Sequence, residues 1–398
     1  MGTSEDTFQR ALTPADVAAA NGLTARWLAS RSEIPSAASG LGIWPLLAVL
    51  ATGAVDDTRD ELLAAAGLSS DRAAAAPAAL LAAIEGSPAL SAALAVWAGK
   101  RVTLDPDWTA GLPVDAVGSL TGDPATDKAA LDAWAARSTR GLIDRMPLDF
   151  TQPIDLVLAS ALSVTTTWNT PFTDHRRAFT HGPWAGLGQV RGLTATLGDV
   201  LRIGDDASVL TVPGDGGIDV LLGLGRDGLT PHEVIANLLD AADPDWGLPA
   251  TALAPGERAV GVEVQEYLAP RPQTGPETEV RTVRFKLRND LDLIADARTL
   301  GLVNACDPAR ARFDRLAAEP VHVSQAKQAC TAVFSATGFE AAAVTAVAMT
   351  RAGALPSKRR HRHVRAVIDF DRPFAYLARH RPTGLVLVAG WVDRPETA

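Results

Sequence analysis

In the first third of the chain, apolar side chains recur at helical spacing. Val17, Ala20, Trp27 and Leu28 fall roughly on one face. The segment opens on Thr13-Pro14-Ala15-Asp16, which reads as a cap, a first-turn proline and an acid at the positive helix end. Thr58-Arg59-Asp60-Glu61 predicts a second helix through a capping box, with its stop at Gly67. A third helical stretch opens at Leu131-Asp132-Ala133-Trp134 and ends before Gly141. From about Thr151 the pattern changes. Ile154 to Val164 is a near-continuous apolar run, as expected of a strand buried on both faces. Val209–Val212, Ile218–Leu222, Val260–Tyr267 and Val280–Leu287 read as further strands between Pro and Gly turns. Val367–Phe370, the segment at Leu377, and Leu385–Val392 close the chain as strands. Helices early and strands late, without a βαβ rhythm or an internal repeat, indicate a mixed α+β fold. No break in composition divides the chain, so a single domain over residues 1–398 is expected.

Composition narrows the function classes. The chain has 398 residues with 37 Lys plus Arg against 46 Asp plus Glu, a net charge of −9, which argues against general nucleic-acid binding. A chain of this length can bury a sizeable core without staples. Its two cysteines, Cys306 and Cys330, cannot form a disulfide framework and read as reduced thiols. The N-terminus carries acids where a signal peptide needs a basic start, and the apolar stretch Leu41–Ala51 is too short for a bilayer and contains Pro45. A cytoplasmic protein without membrane association is expected, with release by an unconventional route left open.

Enzyme signals are weak. Gly223-Leu224-Gly225-Arg226-Asp227-Gly228 has the spacing of a dinucleotide fingerprint and follows a strand. The fingerprint needs its helix to begin within the glycines, whereas here the helix cap is Thr230, in Thr230-Pro231-His232-Glu233. A glycine-rich turn is the plainer reading. His361-Arg362-His363 could ligate a metal, but Lys358, Arg359, Arg360, Arg362 and Arg365 would repel a cation, so a solvated basic loop is expected. There is neither a Gly-x-Ser-x-Gly elbow nor a phosphate loop, and no cofactor or metal is expected.

Gly338 to Gly353 is the informative segment: apolar, small-residued, free of proline and followed by basic residues. Thr337 and Glu340 could cap an alanine-rich helix. With period two, Ala341, Ala343, Thr345, Val347 and Met349 would instead face one way in a strand, with every ladder N–H available. The segment alone leaves both open.

The whole chain, from about Phe8 to Pro395, resembles the serpin family, and a member of bacterial type. The resemblance rests on Phe370-Asp371-Arg372-Pro373-Phe374 followed by Thr383-Gly384, Leu385–Gly390 and Pro395. It rests also on Leu131–Ile143 with Trp134, Thr139 and Gly141, which is similar to the helix that crosses the main sheet. Val157–Leu162 followed by Trp168-Asn169-Thr170-Pro171-Phe172 is similar to the third strand of that sheet and the tryptophan at its top. Ser39-Gly40-Leu41-Gly42-Ile43-Trp44 and Gly53–Leu63 are similar to the second helix and the segment after it.

The resemblance implies a large central β-sheet, additional sheets, about eight or nine flanking helices and an exposed reactive-centre loop at about 338–365. It implies a suicide substrate rather than an enzyme. A serine protease forms an acyl-enzyme with the loop, and the loop inserts as a new strand before hydrolysis finishes, trapping the protease. Gly338, Phe339, Glu340, Ala341, Ala342, Ala343 and Thr345 then form the hinge. Family spacing places the scissile bond at Ala352-Gly353, suited to elastase- or subtilisin-like proteases, or one residue earlier at Arg351-Ala352, suited to trypsin-like ones. Trp168 would sit at the sheet opening, and Ser39, Ser160 and Gln328 would form a hydrogen-bonded latch beneath it. A monomer is the family default. Two residues depart from an inhibitory hinge: Ala336 stands where the family usually has Glu, and Phe339 stands where it has a small hydroxylic residue. Forcing the larger side chain into the sheet would cost about 1–3 kcal/mol. The alternative is therefore a non-inhibitory serpin-fold binding protein whose loop is cleaved without trapping.

Overall fold

The computed structural model describes residues 9–112, 116–243, 245–339 and 360–398. Among them the chain forms two compact units interleaved in sequence, one of Met1–Thr165, Arg288–Ala332 and Ala378–Ala389, the other of Thr166–Leu287, Val333–Leu377 and Gly390–Ala398. The strands make three sheets, of seven, six and six strands, in a mixed α+β architecture with helices around a large central sheet. None of the described helices is long and apolar enough to cross a membrane.

In the first unit, the helix Pro14–Ser30 starts as its sequence predicts. Thr13 accepts from the Asp16 N–H, and the Asp16 carboxylate takes the Thr13 N–H. The helix Asp56–Ala66 differs from expectation. It begins two residues before Thr58 and has no side-chain cap. Thr58 is buried inside it, where its hydroxyl accepts from the Arg312 N–H at 3.1 Å, while Glu61 accepts from the backbone of Val303 and Asn304. Gly67 ends it in the left-handed conformation, as expected.

The core of the large sheet is three strands. Leu90–Ala98 runs antiparallel to Leu156–Val164, which runs parallel to Val323–Phe334. Leu156–Val164 is buried along its whole length, as its unbroken apolar run predicts. The helix Pro124–Ser138, capped by Asp123, starts seven residues before Leu131. Its Leu131, Trp134 and Ala135 pack on Ala95, Val157, Ala159, Ala161 and Ala329. The small side chains on this face of the sheet let the helix lie close. Strand alternation turns Ser160 to the opposite face.

In the second unit, two predicted strands run longer, as Ala207–Pro213 and Ile218–Gly225, and the one expected at Val260–Tyr267 lies two residues later, at Val262–Ala269. The expected strand at Val280–Leu287 is two strands, Glu277–Val283 and Phe285–Asp292. One six-stranded sheet places His361–Asp369 between Val262–Ala269 and Glu277–Val283, with Val190–Leu197 and Thr173–Arg177 beyond.

Candidate functional site

The residues read as the start of a hinge follow a tight turn in the second unit. After Phe334 the chain reverses: the Ser335 N–H donates to the Gly338 carbonyl at 2.9 Å, and the Ser335 hydroxyl accepts from the Gly338 N–H at 3.3 Å. Gly338–Phe339 then runs as a two-residue strand, with Phe339 opposite Phe334 on one side and both residues antiparallel to Thr166–Thr167 on the other. Only glycine fits at 338, because a Cβ there would lie 2.2 Å from the Thr166 carbonyl oxygen.

Trp168 holds this turn. Its indole N–H donates to the Ser335 carbonyl and its backbone N–H to the Thr337 carbonyl, both at 2.9 Å, while the Phe172 N–H takes the Ala336 carbonyl at 2.8 Å. Its ring packs 4.8 Å from Phe334 and 6.3 Å from Phe172. Sequence reasoning named Trp168 but missed Ser335 and Phe334. The spacing of Ser335 and Gly338 around a short polar stretch was the available signal.

Phe339 takes up a packed position. The side chain is already buried, 1% exposed, with its ring 6.1 Å from Tyr376. Its volume is accommodated in this state. The Ala336 carbonyl accepts the Phe172 N–H. Glu340, Ala341, Ala342, Ala343, Thr345, Arg351, Ala352 and Gly353 lie outside the described residues.

Ser39, Ser160 and Gln328 come together in the first unit, all fully buried. The Gln328 amide clamps the Ser39 backbone: its Oε1 accepts the Ser39 N–H at 2.9 Å and its Nε2 donates to the Ser39 carbonyl at 2.8 Å. The Ser39 hydroxyl donates to the Leu387 carbonyl at 2.6 Å and accepts from the Gly42 N–H at 3.1 Å. Ser160 is the outer member, 3.5 Å from Gln328 Nε2. Gly42 leaves the room this cluster needs, since a Cβ there would lie 2.5 Å from Ser160 Oγ and 2.9 Å from Gln328 Nε2.

The far end of the loop needs correction. The basic stretch Lys358–Arg365 is not a solvated loop from His361 onward, and the loop's expected extent to 365 is too long. His361–Asp369 is a strand, paired with Val262–Ala269 from His361 and also with Glu277–Val283 from Arg365. The misreading came from counting local charge, which neighbouring strands balance. Arg365 pairs with Glu279, and Arg362 lies 3.5 Å from Glu266. His363 is buried, with Nε2 2.7 Å from the Arg271 carbonyl and Nδ1 3.2 Å from Tyr267 Oη and 3.3 Å from Glu277 Oε1. The Gln273 side chain acts as an extra strand partner, donating to the Val364 carbonyl and accepting its N–H. No group of three or more metal-ligating side chains occurs among the described residues.

The glycines at 223 and 225 serve packing. Both lie in the strand Ile218–Gly225, and a Cβ would meet Leu238 at 3.2 Å or Val234 at 2.4 Å, on the helix Pro231–Asp240 capped by Thr230. Cys306 and Cys330 are free, and burial pushes both thiols up to about 12, far from nucleophilic thiolates.

A large central sheet with flanking helices and two further sheets, and a short strand at Gly338–Phe339 beside a tryptophan-held turn, define the fold class. Comparison agrees. The family model for "Serpin (serine protease inhibitor)" matches residues 26–181 and 257–395. A putative serpin-Z6C of rice (Oryza sativa subsp. japonica) is 30% identical over 392 residues, covering 90% of each chain. Among solved structures, native protease nexin-1 with heparin aligns with a TM-score of 0.70 at 21% identity, over 96% of this chain and 99% of that one. Human thyroxine-binding globulin aligns with a TM-score of 0.74 at 17% identity, over 98% and 99%. The chain belongs to the serpin family, whose members are generally protease inhibitors. The bacterial-type subgroup read from sequence gains no support from these relatives.

Proposed function

We propose that this chain inhibits serine proteases as a suicide substrate. The protease nucleophile attacks the carbonyl at the scissile bond, Ala352-Gly353 or Arg351-Ala352, and the segment beginning at Gly353 or Ala352 leaves as the amine. The remaining acyl-enzyme is caught when the hinge extends its strand into the sheet before water completes hydrolysis. The observation that carries this reading is the strand Gly338–Phe339, which stands in ladder register with Phe334 and with Thr166–Thr167 and so supplies a starting pair for insertion. Trp168 holds the turn before this strand, and the Gln328–Ser39 clamp braces a strand of the large sheet. A small residue before the bond favours elastase- or subtilisin-like targets; Arg351 would admit trypsin-like ones. We propose a monomer in a reducing compartment.

Incubation with subtilisin-, elastase- and trypsin-like proteases tests this directly. A band at the combined mass that survives denaturant is expected with at least one of them, and the released peptide locates the bond. Cleavage by all three without such a band, and without a rise in melting temperature of the cleaved protein, would leave the second reading, a serpin-fold binding protein. Ala336 and Phe339 are the residues that favour it.

A further inference from the structure

We infer that the first unit carries a binding site for an amphipathic carboxylate, an anion with an apolar body, between the start of the crossing helix and the start of the strand Leu156–Val164. A cavity of about 390 Å³ lies there, within the range of small-molecule sites. Leu120, Phe150, Ile154, Pro124 and Pro153 give it apolar walls, and the first three belong to or pack on the core cluster beneath the helix. Its rim holds two acids and two bases, and among the described residues the acids are already engaged while the bases are not. Of the two acids, Asp127 is buried and committed to the N–H groups of Thr121 and Gly122 and the Thr121 hydroxyl. Asp155 is paired with His322 at 2.8 Å. The two bases, Lys100 and Arg101, are exposed at the mouth and make no ion pair among the described residues.

Apolar walls with uncommitted cations at the mouth select a ligand by both ends. The body displaces water from Leu120, Phe150 and Ile154, and the carboxylate accepts charge-assisted hydrogen bonds from Lys100 and Arg101. A neutral analogue keeps only the first interaction, and a cationic one meets repulsion. Pro124 and Asp127 begin the crossing helix and Ile154-Asp155 leads into the strand, so an occupant ties the two together.

Titration calorimetry of the intact chain with decanoate, decanol and decylammonium tests this, each below its micelle concentration. Decanoate is expected to bind once per chain, about tenfold or more tighter than decanol, with no binding of decylammonium. The double variant Lys100→Gln/Arg101→Gln, at exposed unpaired positions, is expected to keep the melting temperature of the parent and to bind decanoate no better than decanol. Absence of decanoate binding, equal affinity for decanol, or undiminished decanoate affinity in the double variant would overturn the assignment. None of these outcomes depends on whether proteases are trapped.

Discussion

Replacing Gln328 by Leu would separate the two roles the cluster at Ser39 combines. Gln328 is fully buried, and its Oε1 is the acceptor for the Ser39 N–H. The Ser39 carbonyl, by contrast, keeps a second donor in the Gly42 N–H at 3.2 Å. Leucine has nearly the same volume, so the cavity contribution is small. What remains is one buried N–H without a partner, which costs about 1–3 kcal/mol. Ser160 stands 3.5 Å from the Gln328 amide, at the limit of a hydrogen bond, so Ser160→Ala should cost less than about 1 kcal/mol. Urea unfolding of the three proteins, followed in both directions, measures the difference as a change in midpoint at constant slope. A loss in Ser160→Ala equal to or larger than that in Gln328→Leu would refute the reasoning, because it would place the strength of the cluster in the serine pair rather than in the backbone clamp.

Other perturbations draw on the same geometry. Gly338→Ala should lower stability by more than the usual 0.5–1.5 kcal/mol of a lost hydrogen bond, roughly 2 kcal/mol or more, since its methyl collides with backbone rather than a movable side chain; unchanged unfolding would contradict this. Gly225→Ala forces Val234 and its helix outward and should cost about 1–3 kcal/mol, with no change in melting temperature on adding nicotinamide cofactors to the parent. Burial, together with the nearby Arg381, lowers the pKa of His380 to about 4. The neutral ring is therefore the native form: its stabilisation is complete above the ordinary histidine value and is lost as pH falls towards 4, on the order of 2–3 kcal/mol. His380→Gln should flatten the acid limb of a pH–stability profile, and an unaltered limb would assign it to other groups.

What could be read from the chain depended on whether the deciding contacts were local. Thr13 with Asp16 and Thr230 with Glu233 are capping boxes closed within four residues, and both helices start where the pattern puts them. Thr58 and Glu61 have the same spacing, but their partners are the backbones near residues 303–312, far along the chain, so the box does not form. Leu90–Ala98, sequence LSAALAVWA, is a strand with little intrinsic preference for one; its pairing with Leu156–Val164 decides it. The basic stretch misled for the same reason, since Glu266, Glu277 and Glu279 reach it from other strands. Trp168, Ser39, Ser160 and Gln328 were legible through resemblance, whereas the spacing of Ser335 and Gly338 hints at a turn without naming the Trp168 and Phe172 N–H groups that donate to the carbonyls of 335, 336 and 337.

The two ends of the segment 340–359 are moored very differently. At its C-terminal end the chain passes into a strand paired with Val262–Ala269 from His361 and with Glu277–Val283 from Arg365, and fastened again by Gln273 and by the buried His363. At its N-terminal end the mooring is a two-residue strand at the tip of a turn. A cut anywhere between would therefore release two ends of unequal freedom. The downstream end would stay held by the longer ladder, and the upstream end by the two-residue one alone.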